Sequence, residues 1–421
     1  MKNTEKLRTY FYICMDATSS VFWSQVIGHL SVLRQEKGMS FNLIAGGNLK
    51  KGQPLFSEEK RKEIEQEIQG KLIEITYSNK VCGLLRVLWN VVCLFIPSLL
   101  RGEKVVLHCR GKDGGLIGSL ANLICLGRLK IIYDVRGDII GEQFYYLNKK
   151  GSKENPLSKI KIWFAYNYLS LIERFCGLQA RYIFFVSNPL MKVFKERHKT
   201  LSKKQSFVFP SASSERIFYY SKELRKEIRK ELQVYDDEIV LVYSGSLKRY
   251  QLFEKSVEIV KLIKEKLLKV KFLVVVPEQD FLECDEILKR SDLKDWIGRS
   301  AKYRDVVKYL NAGDVGIILR EDLPINHSAS PTKFSEFVLC GLPLIISAGI
   351  GDTEDFVREN NCGVIVDKSF NLEKSVLEFV DFWGTISKDL NTFRENLIAS
   401  ARNYYSKERL AEKYYNIYLS I

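Results

Sequence analysis

The stretch SASPTKFSEFVLCGLPLIIS, Ser328 to Ser347, puts a lysine where a helix start disfavours one. Ser330-Pro331 signals the start, since the serine hydroxyl can cap a free N–H and proline suits the first turn. Lys333 then opposes the positive end of the helix dipole, at a place where Glu or Gln would complete a capping box. An anion bound at the helix start removes the conflict, because free N–H groups, dipole and ammonium all converge on it. Glu336 lies three residues on and shares Lys333's face, so its carboxylate can accept hydrogen bonds from hydroxyls beside that anion. Phosphate and ribose are such neighbours in any nucleotide. The competing explanation is an i,i+3 surface ion pair worth ~0.2–0.5 kcal/mol.

Two further loops carry the same kind of chemistry. In YSGSLKRYQ, Tyr243 to Gln251, Gly245 lets the backbone approach a ligand, Ser246 offers a hydroxyl, and Lys248 and Arg249 supply cations: a phosphate cradle in outline, or a Gly-Ser turn with two solvated basic residues. In SAGIGDTEDF, Ser347 to Phe356, Gly349 and Gly351 follow a strand and Asp352 or Thr353 can cap the next helix, which leaves backbone N–H groups to meet a sugar or phosphate. The first half has KIIYDVRGDIIGEQ, with Asp134, Arg136 and Glu142 after a buried strand, and VVLHCRG, with His108 at a strand end. Asp134 and Arg136 read either as a structural ion pair or as contacts to substrate, and His108 as a core histidine or a base.

These loops need strands to end on and helices to begin. Apolar runs such as TYFYICM, FNLIAG, KVVLHC, KIIYDV and YIFFVS in the first half, and EIVLVYSG, KFLVVVP, DVGIILR, LPLIIS and CGVIVD in the second, alternate with helical stretches. Continuous apolar strands with crossover helices predict parallel α/β sheets, in which ligands bind beyond the carboxyl ends of the strands. The basic stretch from Ser211 to Asp237 reads as a linker. The predicted organisation is therefore one α/β domain over residues 1–210, a linker over 211–237, a second α/β domain over 238–370 and C-terminal helices over 371–421. The tyrosines of ARNYYSKERLAEKYYNIYLSI read as a packing stripe.

Composition narrows the classes. The 421 residues include nine cysteines without a CxxC pair and only four histidines, which speaks against a zinc site or a disulfide framework and fits a reduced cytosolic protein. The formal charge of +14, from 65 Lys and Arg against 51 Asp and Glu, favours anionic partners. Nucleic acid is not among those expected, for want of zinc-finger spacing, an RNP-like aromatic run or an Arg-rich arm. The start MKNTEKLRTYFYICMD does not read as an export signal, and VLWNVVCLFIPSLL, Val87 to Leu100, is too short for a membrane span and reads as a buried or interfacial helix. KIKIWFAYNYLSLIERF, Lys159 to Phe175, with the basic run Lys192, Lys195, Arg197 and Lys199 after it, reads as interfacial or as a solvated helix face.

A Gly-Ser turn with basic residues after a domain's first strand, then P-x-K-x-x-E ahead of a helix ending CGLPLIIS, resembles the nucleotide-binding half of family-4-type retaining glycosyltransferases of the GT-B fold, over roughly Glu238 to Asp367. The resemblance implies two Rossmann-like domains with parallel sheets facing across a cleft, an acceptor-binding one over 1–210 and a nucleotide-sugar-binding one over 238–370, with C-terminal helices packing back. It implies that Glu336 binds the donor ribose and that Lys333 with Lys248 or Arg249 stabilises the leaving diphosphate. Gly245, Ser246, Thr332, Gly349 and Gly351 complete the donor side, and Asp134, Arg136, His108 and Glu142 fall on the acceptor side. The family's usual E-x7-E pair is incomplete, since Ser328 stands where the first glutamate is expected, and Ser246 replaces an arginine frequent in that turn. The implied activity is transfer of a sugar from a nucleotide-sugar to a glycan or lipid-linked acceptor with retention, without metal or other cofactor. It belongs in bacterial capsule, O-antigen or exopolysaccharide synthesis, in the cytoplasm and peripheral to the inner face of the plasma membrane. A nucleotide-sugar epimerase of the same fold and a non-catalytic nucleotide-binding partner are the alternatives.

Overall fold

The structure is a computed structural model that describes residues 7–19, 21–48, 54–77, 81–149 and 156–421. Met1–Lys6, the first part of the segment read for an export signal, lie outside the described residues. The chain forms two compact units, Met1–Phe209 with Ala411–Ile421, and Pro210–Leu410.

The first unit is built on β1 (Arg8–Cys14), β2 (Phe41–Asn48), β3 (Leu72–Tyr77), β4 (Lys104–Arg110), β5 (Lys130–Val135), β6 (Tyr182–Phe185) and β7 (Ser206–Val208). All are parallel, in the order β3-β2-β1-β4-β5-β6-β7. The apolar runs of the inner strands β4, β5 and β6 are buried on both faces, as crossover helices require, while the edge strand β7 is half-buried. Parallel register sets Tyr12 beside His108 on neighbouring strands, and their rings stack at 4.4 Å. The last residues of the chain complete this unit: Tyr414 stacks on Phe209 at 3.8 Å and Tyr418 is fully buried. The C-terminal tyrosines thus divide their packing, with Tyr405 in the core of the second unit and Tyr404 exposed.

The second unit holds β8 (Ile239–Ser244), β9 (Val270–Val276), β10 (Trp296–Ser300), β11 (Val315–Ile318), β12 (Leu344–Ser347) and β13 (Gly363–Val366), in the order β10-β9-β8-β11-β12-β13 and again all parallel. Strand order reverses at β8, so β8 and β11 flank the point where adjacent crossovers part and leave a crevice beyond the strand ends. The stretch 211–237 is not a separate linker. It carries the helix Lys222–Glu231, whose Arg225 and Arg229 reach Asp314, just ahead of β11, at 2.6 and 3.1 Å. Arg394, from the helix Leu390–Tyr405, reaches the same carboxylate at 3.0 Å. Three arginines on one buried aspartate tie both segments to the sheet, and further terminal N–H groups of theirs donate to the carbonyls of Ala312, Gly313, Tyr235 and Glu238, while the buried Nε of Arg229 and of Arg394 have no partner among the described residues.

Candidate functional site

The carboxyl ends of β8 and β11 bring their residues to one lysine. Lys333 is the second residue of the helix Thr332–Leu339. Its ammonium lies 4.9 Å from the centre of the Tyr243 ring at the end of β8 and donates to Gln251 Oε1. Gln251 is fixed in turn, because its Nε2 donates to Ser246 Oγ at 2.8 Å while the Tyr243 hydroxyl donates to the Ser246 carbonyl at 2.8 Å. Gly245, with φ +124°, makes the approach possible: a Cβ there would fall 1.9 Å from Lys333 Cε and 2.0 Å from Nζ. One of the ammonium's three donors is thus engaged, and no carboxylate among the described residues pairs with it.

Arg320, two residues past β11, is the cation that sequence reasoning missed. Its backbone N–H donates to Ser347 Oγ at 2.8 Å, which binds the ends of β11 and β12 together, and Nη1 donates to Asn326 Oδ1 at 3.1 Å. The guanidinium lies 5.4 Å over the Tyr250 ring, and its buried Nε has no hydrogen-bond partner among the described residues. Burial holds the Lys333 ammonium down to about 7, and Arg320 adds to that depression while Glu336 and Asp280 oppose it. Burial likewise pushes Glu336 up to about 7, against the pull of Lys333 and Lys407. Glu336 is 8% exposed and makes no side-chain hydrogen bond among the described residues. The i,i+3 ion pair between Lys333 and Glu336, one explanation open at the level of sequence, is not formed. Two ionisable groups therefore sit beside a switch point with their charged forms under-satisfied, an arrangement suited to an anion next to hydroxyls.

Other sequence expectations resolve differently. Ser330 does not cap the helix: the N-cap position is Pro331, and Ser330 Oγ accepts from Ser211 N at 2.8 Å. Thr332 opens the helix, and its carbonyl accepts from Ser335 Oγ at 2.7 Å. Lys248 and Arg249 are exposed and make no ion pair among the described residues; what their loop brings to Lys333 is Gln251. The amides of Gly349 and Gly351, expected to face a ligand, are taken by Glu354 Oε2 at 2.9 Å and by the Asn326 carbonyl at 3.2 Å. Neither Asp352 nor Thr353 caps the next helix through its side chain; the Thr353 hydroxyl donates to the Ile350 carbonyl. Ser328, at the expected glutamate position, is buried with its hydroxyl turned back to the Pro324 carbonyl at 3.3 Å.

In the first unit His108 is 1% exposed, with Nδ1 2.5 Å from the Tyr418 hydroxyl and Nε2 3.3 Å from Asp134. Burial lowers its proton affinity. It is an internal hydrogen-bonding residue rather than a base open to substrate. Burial alone would raise the Asp134 carboxyl, but Arg136, His108 and Arg110 hold it well below the usual range, with Arg136 at 3.5 Å and Arg110 at 3.6 Å. The ion-pair reading of Asp134 and Arg136 is therefore realised. Glu142 stands in the first turn of the following helix, Ile139–Lys149. Among the described residues no three His, Cys, Asp or Glu side chains gather as a metal site.

Residues 224–397 match the family model described as glycosyl transferases group 1. No curated protein matches the chain. Among solved structures it is similar to HepE of Anabaena in complex with UDP (TM-score 0.68, 12% identity, 99% of this chain and 100% of that one). It is also similar to a glycosyltransferase from Rickettsia africae (0.71, 14%, 99% and 98%) and to WaaG, a glycosyltransferase involved in lipopolysaccharide biosynthesis (0.58, 15%, 97% and 98%). The shared fold is the GT-B type, with two parallel-sheet Rossmann-like units.

Proposed function

We propose that this protein transfers a sugar from a nucleotide-sugar donor to a glycan or lipid-linked acceptor with retention of anomeric configuration. The observation that carries the reading is the pair at the start of the Thr332–Leu339 helix: an ammonium with donors to spare and, three residues on, a buried carboxyl without a hydrogen-bond partner among the described residues. In this reading Lys333 and Arg320 hold the donor's diphosphate and Glu336 accepts from the ribose hydroxyls. Lys248 and Arg249, being exposed, are left for the outer phosphate or solvent. The match to glycosyl transferases group 1 over the second unit supports it, as does the likeness to HepE, which was crystallised with UDP and with UDP-glucose.

The protein's share of the chemistry is electrostatic. As the bond from sugar to phosphate breaks, negative charge grows on the leaving diphosphate, and cations already in place stabilise it without reorganisation. Burial strengthens their effect and also explains why the ammonium is poised near neutrality before the anion arrives: a bound diphosphate supplies the charge that desolvation denies it. No metal is called upon. A place in bacterial surface-polysaccharide synthesis at the cytoplasmic side of the membrane completes the proposal, supported by the likeness to WaaG and by free thiols throughout the described cysteines.

A thermal-shift series with UDP, GDP, CMP and dTDP tests the donor site, since a ligand at 100 times its Kd stabilises by ~2.7 kcal/mol. One nucleoside diphosphate is expected to stand out, and sugar transfer from its conjugate, in the presence of a chelator and with the product anomer read by NMR, completes the test. No shift with any nucleotide, donor turnover to an epimer without acceptor, or inversion of the anomer would each overturn the corresponding part.

A further inference from the structure

We infer that three neighbouring helices of the first unit, Val81–Leu100, Gly111–Ile124 and Pro156–Gln179, form a docking face for an anionic lipid bilayer. The middle helix packs against both others. Two hydrogen bonds close the row at one end: Arg128, just past the middle helix, donates from Nη2 to the Leu99 carbonyl at 3.1 Å, and Asn122 Nδ2 donates to Gln179 Oε1 at 3.0 Å.

Each helix buries one apolar stripe on the sheet and turns another outward. On the first, Val87, Val91 and Phe95 enter the core, while Leu85, Trp89, Ile96 and Leu100 stand exposed at helical spacing, Trp89 by 65%. On the middle helix the outward residues are Leu123 and Ile124, followed by Leu126 at 87%. On the third they are Ile160, Phe164, Tyr168, Leu171 and Leu178, Phe164 by 62%. A helix covered by water on one side carries polar residues there, so apolar residues on the outward stripes of three adjacent helices mark a surface that meets something other than water.

Charge selects the occupant. Arg86, Lys161 and Arg174 are exposed on this face and make no ion pair among the described residues. The exposed carboxylate described on these helices, Asp113, lies at the far end of the middle helix and is paired with Lys112 at 3.2 Å. Glu173 is buried, bound by Arg197 at 3.1 Å and His198 at 3.0 Å. That bond also removes Arg197 from the basic run read as a second interfacial element. A second copy of this chain, related by a two-fold axis, would set these cations against one another with no unpaired carboxylate among the described residues of the three helices to meet them. An anionic headgroup layer instead meets the cations while Trp89, Trp163 and Tyr168 sit at the interface and the leucines and Phe164 go below it. No helix among the described residues is long and apolar enough to cross the membrane, so the face lies on the bilayer. The inference does not rest on the donor site, which belongs to the other unit.

Co-sedimentation with phosphatidylglycerol-rich and with pure phosphatidylcholine vesicles tests it. Trp89→Ser/Leu100→Ser/Phe164→Ser is expected to lower the partition coefficient by about a hundredfold or more. Arg86→Gln/Lys161→Gln/Arg174→Gln is expected to lower it by about a hundredfold on anionic vesicles and to leave neutral ones unchanged. Melting temperature and nucleotide-induced shift report whether each variant remains folded. A fold-preserving measurement on the parent is quenching of tryptophan emission by brominated lipid, expected to fall sharply in Trp89→Phe/Trp163→Phe. Failure of the parent to bind anionic vesicles, variants that bind as the parent does, or an apolar variant that only converts a solution dimer to monomer would overturn the inference.

Discussion

Replacing Lys333 with glutamine separates a binding lysine from a structural one. Holding its ammonium at about 7 instead of 10.5 costs roughly 4 kcal/mol at neutral pH. The sign follows from proton counts: the unfolded chain binds the proton more tightly, so this term lowers stability at neutral pH and is relieved as pH rises from about 7 to 10.5. Against that cost stand one hydrogen bond to Gln251 and the contact with the Tyr243 ring, each about 1 kcal/mol. Lys333→Gln should therefore stabilise the unliganded protein by about 2 kcal/mol and raise the melting temperature of the second unit by roughly 4–8 °C. Nucleoside diphosphate affinity should fall and transfer should drop by ~10²–10³, because a preorganised stabiliser of leaving-group charge is gone. Titration calorimetry in buffers of different ionisation enthalpy gives a second readout. At mildly alkaline pH the parent should take up close to one proton on binding the diphosphate, and the variant none. A Lys333→Gln protein that melts lower, binds nucleotide as tightly as the parent and transfers sugar at the parent rate would refute the reasoning.

Glu336→Gln should gain stability over the parent progressively as pH rises from 4.5 to about 7, because the folded parent retains a proton there that the unfolded chain has lost, and it should weaken nucleotide binding with kcat little changed; denaturant titrations across pH and steady-state kinetics check both. Gly245→Ala places a methyl on the Lys333 side chain at a positive φ, so it should cost about 2–4 kcal/mol of stability and displace the ammonium, and unaltered nucleotide affinity would count against the placement. Arg320→Gln should reduce diphosphate affinity by about ten- to a hundredfold while leaving nucleoside affinity alone, read by competition binding. Tyr418→Phe should cost about 1–2 kcal/mol by leaving His108 Nδ1 without its partner, with donor binding in the other unit unchanged.

The resemblance and the site follow different rules of legibility. Alternating apolar runs and helices announced parallel α/β sheets because burial on both faces is a local property of each strand's composition. Lys333 and Glu336 were legible for the same reason: a cation at a helix start conflicts with its neighbours in sequence, whatever the rest of the chain does. Partners were not legible. Gln251, Arg320 and Tyr243 reach Lys333's surroundings only because β8 and β11 are adjacent, and strand order is set by crossover packing, which leaves no mark on any single strand. Ser330 carries a cap signal, yet Ser211 claims its hydroxyl. Gly349 and Gly351 carry a loop signal, yet Glu354 and Asn326 claim their amides. The linker over 211–237 became part of a domain once Asp314 gathered three arginines. Sequence by itself determined most of the buried parallel strands, though neither the part-exposed β10 nor the helix Lys222–Glu231, and which residue is out of place at a helix start. Tertiary structure alone decided which polar groups are already satisfied, because a hydrogen-bonding group buried in a fold takes whichever partner the long-range topology brings within 3 Å or so.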